Sequence, residues 1–156
     1  MNAIRKLGYL GLMAAWCADP AISFAAPCAG TNINTTLSWV PTEIGEGTTL
    51  ATWRATSVVV SDDPNASYHL VAGECVGTFL TTPDGNTRGS GICARKDKDG
   101  DILNEEWVQP VGTVDKGTWK NVGGTGKFSN AAGTADWAGI MSQDIMSAVR
   151  WEGDCQ

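Results

Sequence analysis

From Thr49 onward the chain alternates between apolar and polar positions. In Thr49 to Val60, residues Ala51, Trp53, Ala55 and Val59 fall on one face, while Thr52, Arg54 and Thr56 fall on the other. That period of two, in a run rich in Thr, Val and Trp, predicts a strand with one buried face. Similar runs follow at Ser67 to Thr82, Thr87 to Asp97, Ile102 to Pro110, Gly117 to Val122, Thr134 to Met141 and Ile145 to Trp151. An earlier run, Thr31 to Val40, is expected to end at Pro41 and the glycines of Ile44 to Thr48. No apolar stripe of helical period and ten-residue length occurs after residue 25. Eight or nine short strands separated by turn signals predict an all-β sandwich or barrel.

Turn chemistry sets one register. Thr82-Pro83-Asp84-Gly85-Asn86 suits a type I turn with Gly85 left-handed at the bulge, which pairs Thr82 with Asn86. Counting back from that pair places Cys75 opposite Cys93 at a non-hydrogen-bonded site, where Cα atoms lie about 4.5 Å apart and a disulfide fits. The same count lays Phe79 over Gly89. Cys28 and Cys155 then pair by elimination, which brings the two ends of the mature chain together. Neighbouring ends are what a sheet closed on itself produces, so the expected fold is a single closed antiparallel barrel of about eight strands, braced by two disulfides.

Between two of the expected strands, Val122 to Trp137 carries Gly124, Gly126, Phe128 and Gly133. It reads as strand, tight corner, strand, with Phe128 as the plug at the corner.

Composition changes the picture in two ways. Met1 to Lys6 is a short basic segment, followed by the apolar run Leu7 to Trp16 and the small-x-small sequence Ser23-Phe24-Ala25. We read residues 1–25 as a secretory signal peptide and 26–156 as one domain, secreted or periplasmic, with no membrane anchor. Five cysteines become four when Cys17 leaves with this segment, an even number suited to an oxidising compartment. The formal charge of −6 becomes −7 once Arg5, Lys6 and Asp19 are removed. An acidic chain disfavours nucleic acid.

Gly124 to Phe128 with Gly133 after it, preceded by Cys93, by Asp97-Lys-Asp-Gly-Asp101 and by Gly117-Thr118-Trp119, resembles the allene oxide cyclase and dirigent barrel superfamily. The resemblance covers roughly residues 50–152 and is strongest to small secreted bacterial members. It implies an eight-stranded antiparallel barrel with an apolar lumen, and a homo-oligomer, since the plant members form trimers. The plant enzymes' substrate-binding segment has no match here, so no catalytic residue is carried over.

The chemical inventory is thin. There is one histidine, His69, and no thiol remains free once the disulfides form, which removes Cys–His catalysis and multi-histidine metal sites. Asp97, Asp99 and Asp101 alternate as in a calcium loop, but the sixth and twelfth places hold Ile102 and Val108 instead of Gly and Glu. That segment is expected to be a hairpin turn, and no metal or other cofactor is expected. Two residues are catalytic candidates. His69, expected on a strand face with Val71, Gly73, Cys75 and Phe79, is either structural or a general base. Glu105 lies between Leu103 and Trp107. Turned inward it would suit acid–base work; the alternative is an outward position beside Glu106. Trp53, Arg54 and Trp107 are the candidate ligand contacts, with Arg54 either meeting an anionic ligand at a barrel mouth or solvated at the surface.

Two functions fit this inventory. One is a binding module that holds a small apolar or aromatic molecule in its lumen. The other is an enzyme of the cyclase or dirigent kind, in which the barrel steers a reactive molecule with little more than one acid or base. What separates them is whether any of Arg54, His69, Glu74, Glu105, Lys120 or Asp136 faces the lumen. A non-catalytic envelope or assembly protein is a third reading.

Overall fold

A computed structural model describes residues 26–155; the expected signal peptide lies outside them. Eight antiparallel strands follow one another around a closed barrel: β1 (Ala26–Gly45), β2 (Thr48–Ser61), β3 (Ala72–Thr81), β4 (Thr87–Lys96), β5 (Ile102–Gln109), β6 (Lys116–Gly124), β7 (Gly133–Gln143) and β8 (Met146–Cys155). β8 pairs with β1, so the sheet has no free edge along its lower half.

The hairpin register is as expected. Thr82 N–H donates to the Asn86 carbonyl (3.0 Å), Gly85 takes φ 81°, and Cys75 stands opposite Cys93 with Cα atoms 4.0 Å apart. Cys28 bonds Cys155 across the β1–β8 seam, with Cα atoms 5.8 Å apart. This bridge closes a separation of 127 residues. In the chain-entropy account such a loop contributes about 5 kcal/mol.

Three elements differ from the sequence reading. β1 does not stop at Pro41 but continues to Gly45, interrupted by register shifts at Thr36/Ser38 and Glu43/Gly45. Beyond Thr35 it pairs only with β2, so it is an edge there and Pro41 forfeits no ladder bond. β3 begins at Ala72 rather than Ser67; the preceding residues coil through a turn in which Leu70 is left-handed (φ 61°). At the glycine corner, Gly126–Phe128 forms one 3-10 turn, with Gly123 at φ 90° and Gly133 at φ 129°. Phe128 is buried as expected.

The barrel's two ends are built differently. The β2–β3, β4–β5 and β6–β7 connections lie at the end that also holds the chain termini. There Val59, Val71, Leu103, Trp119, Phe128, Ala135 and Trp151 form one buried cluster that closes the barrel, with Tyr68 packed against it. The hairpins β1–β2, β3–β4, β5–β6 and β7–β8 lie at the opposite end, which stays open.

Candidate functional site: an aromatic lumen with a buried ion pair

A cavity of about 960 Å³ occupies the open half of the barrel. Its existence is not obvious in a chain with this many tryptophans. It survives because glycines on neighbouring strands make room for inward rings to pack close over the wall. A Cβ at Gly89 would sit 2.6 Å from Phe79 ring carbons, and one at Gly77 or Gly91 would sit 2.3 or 2.6 Å from Trp107 Cζ2. Gly117 bears the same relation to Trp137, and Gly30 to Trp151.

The resulting wall on β1 to β5 is a continuous set of rings. Phe79 is its hub, with its centroid 5.2 Å from Trp39, 5.4 Å from Trp107 and 6.3 Å from Trp53; Trp53 and Trp107 meet edge-on at 5.6 Å. Such separations are favourable for aromatic pairs. Trp53 is held by its Nε1–H, which donates to Thr36 Oγ1 (3.2 Å). Polar side chains also line the cavity: Asn34 and Thr36 from β1, and Gln109, whose Nε2 donates to the Thr113 carbonyl (3.0 Å).

Towards the closed end sits an ion pair between Arg95 and Glu105, which are 2 % and 7 % exposed. β4 and β5 set it up: Cys93 stands opposite Glu105, and Arg95, two residues on, shares the inner face with Cys93. Arg95 Nη2 donates to Ser57 Oγ (3.1 Å) and lies 3.5 Å from Cys75 Sγ. Burial pushes the guanidinium down to about 9, so it remains charged at neutral pH beside the Glu105 carboxylate.

The candidates separate cleanly in space. Glu105 faces inward, correcting the outward alternative; its neighbour Glu106 is the residue on the outer wall, paired with Lys120 (2.8 Å). Trp53 and Trp107 line the cavity. Arg54 does not: it lies outside the barrel in a forked pair with Glu74 (2.7 Å), the surface alternative, so its candidacy as a ligand contact is corrected. His69 is not on a strand face but in the β2–β3 connection at the closed end, where Nδ1–H donates to the Ser61 carbonyl (3.2 Å). Asp136 is on the outer face. Of the six side chains posed as a test, Glu105 is the one that reaches the lumen.

The sequence reading gave Arg95 no role in the site. A signal for Arg95 was present, because the hairpin register that joins Cys93 to Cys75 also puts Arg95 on the same face. At the Asp97–Asp101 turn, Lys127 supplies the cation: its ammonium pairs with Asp97, whose Oδ1 accepts the Asp99 and Asp101 amides (2.8 and 2.9 Å). Among the described residues no group of three or more His, Cys, Asp or Glu side chains is arranged to hold a metal ion.

No protein-family model matches the chain, and no curated protein matches it in sequence. Solved structures do match in fold. Two are pterocarpan synthase dirigent proteins: GePTS1, with TM-score 0.52 and 15 % identity over 83 % of each chain, and PsPTS1, with TM-score 0.51 and 14 % identity over 83 % of this chain and 93 % of that one. A pyocyanin demethylase aligns with TM-score 0.49 and 17 % identity over 82 % of this chain and 99 % of that one. The chain shares the barrel fold of the two dirigent proteins.

Proposed function

Given a dirigent-like barrel with an open lumen, we propose that this protein binds a flat aromatic small molecule inside the barrel, in an oxidising compartment outside the cytoplasm. The observation that carries the reading is the wall of Trp39, Trp53, Phe79 and Trp107 around a cavity of about 960 Å³. Ligand pockets of roughly 300 to 1,000 Å³ are the usual size, and apolar walls with a few polar groups are the usual lining. The two disulfides support the compartment. A titration with 1-naphthol followed by tryptophan fluorescence tests the reading. Saturable one-to-one quenching that is lost in Trp53→Ala and Trp107→Ala supports it; unsaturable quenching in the native protein defeats it.

A second reading, a barrel enzyme of the dirigent kind, is favoured by one observation: Glu105 is a carboxylate on the inner wall. Paired there with the Arg95 guanidinium, it would serve as a base or as a charge facing a developing cation. The names of GePTS1 and PsPTS1 attach barrels of this fold to pterocarpan synthesis. Turnover abolished by Glu105→Gln with lumen binding retained would separate this reading from the first.

A further inference from the structure

We infer that the lumen selects organic cations: planar aromatic or N-alkylated heteroaromatic molecules carrying a positive charge. The inference rests on the lumen-binding reading above and adds a ligand class to it. Among the described residues, four ionisable side chains line the cavity: Arg95, Glu105, Asp115 and Asp144. Arg95 is the one cation among them, and Glu105 and Ser57 already occupy it. An incoming anion therefore finds no free positive partner among the described lining residues. Asp115 and Asp144 remain as two carboxylates at the mouth, and neither takes part in a side-chain hydrogen bond or ion pair among the described residues.

Local backbone geometry puts them there. Both occupy left-handed turn positions, φ 50° in the β5–β6 connection and φ 52° in the β7–β8 hairpin. The Asp115 carbonyl accepts the Gly139 amide (2.7 Å), and Gly139 is itself a lining residue beside the irregularity in β7. A turn accounts for a short polar residue at each position, since Asn and Asp both tolerate this conformation. It does not account for the negative charge, which Asn would lack.

The aromatic wall acts in the same direction. The π faces of tryptophan and phenylalanine attract a cation held within about 6 Å, and the attraction grows when the cation is desolvated, as it would be in this lumen. The chain's formal charge of −6 adds a long-range field that draws cations toward the mouth. Ring faces in the wall, carboxylates at the rim and a neutralised arginine within together describe a site that discriminates by charge as well as shape.

The test compares three probes of nearly equal size by calorimetry on the intact protein: N-methylquinolinium (cation), 1-naphthol (neutral) and 1-naphthoate (anion). The expected order is cation, then neutral, then anion, with the cation at least about fivefold tighter than 1-naphthol at low salt. Raising salt to about 0.5 M should shrink that preference, because exposed charges at the mouth are screened. Asp115→Asn with Asp144→Asn keeps the left-handed turns and should reduce the preference to less than about twofold. Equal affinities for the cationic and neutral probes, or tighter binding of 1-naphthoate, overturn the inference while leaving lumen binding intact. Failure of all three probes to bind overturns both.

Discussion

Replacing Glu105 by Gln should be among the most damaging single changes in this chain. Arg95 is buried, and apart from Glu105 its guanidinium donates to the Ser57 hydroxyl and approaches Cys75 sulfur. With the carboxylate neutralised, the cation stays in the wall without a counter-charge. It does not escape by losing its proton, because a guanidinium stays charged in a protein interior. Breaking a buried pair in this way costs about 3 to 5 kcal/mol, a large part of the roughly 5 to 15 kcal/mol by which a domain is stable. Urea unfolding without reductant, followed by tryptophan fluorescence, reads this as a midpoint about 2 M lower for an m-value near 2 kcal/mol/M. The reciprocal change, Arg95→Met, should be milder at acid pH, since a carboxylate left alone can take up a proton. Removing both charges at once, Arg95→Met with Glu105→Leu, should restore stability to within about 1 kcal/mol of the native protein. A Glu105→Gln midpoint indistinguishable from the native one would refute the reasoning, because it would mean that the pair is solvated or absent.

Two further outcomes follow from the wall and from the β4–β5 turn. In Gly89→Ala the three atoms nearest the new Cβ all belong to the Phe79 ring, the first at 2.6 Å; the ring must withdraw by about 1 Å to reach ordinary contact. Binding of a two-ring probe should then weaken about tenfold while the unfolding midpoint changes little, and unchanged binding in a titration would count against Phe79 as the hub of the site. Asp97 is held below the usual carboxylate range by the Lys127 ammonium first, and then by the Asp99 and Asp101 amides. The stabilisation from this lowered pKa is fully present above the unfolded value near 3.8 and is lost as pH falls through the lower folded value. Melting temperatures between about pH 2 and 6 should therefore drop less steeply for Asp97→Asn than for the native protein; parallel curves would show that the contact does not form.

Local rules in the sequence were enough to determine the hairpin from Ala72 to Lys96. Pro83-Asp84-Gly85 admits few turns, the turn sets the register, and the register joins Cys75 to Cys93 and lays Phe79 over Gly89. The pairing of Cys28 with Cys155, and closure through β1 and β8, followed from the cysteines that were left. Each of these depends on spacing along one segment or on a covalent pairing, and spacing is written in the sequence. Which way β5 faces was decided elsewhere. Leu103 and Trp107 favour burial of their shared face, while Glu105 opposes it unless a cation is waiting, and that cation is on another strand. Arg54 and Arg95 both lie on strands of alternating pattern, so residue type does not distinguish the one that pairs outside with Glu74 from the one that pairs inside with Glu105. Register across three strands makes that choice. The cavity is likewise a tertiary product: Trp119 and Trp151 fill the closed end, and the other half stays open because glycines on adjacent strands let Phe79, Trp107 and Trp137 pack close over the wall.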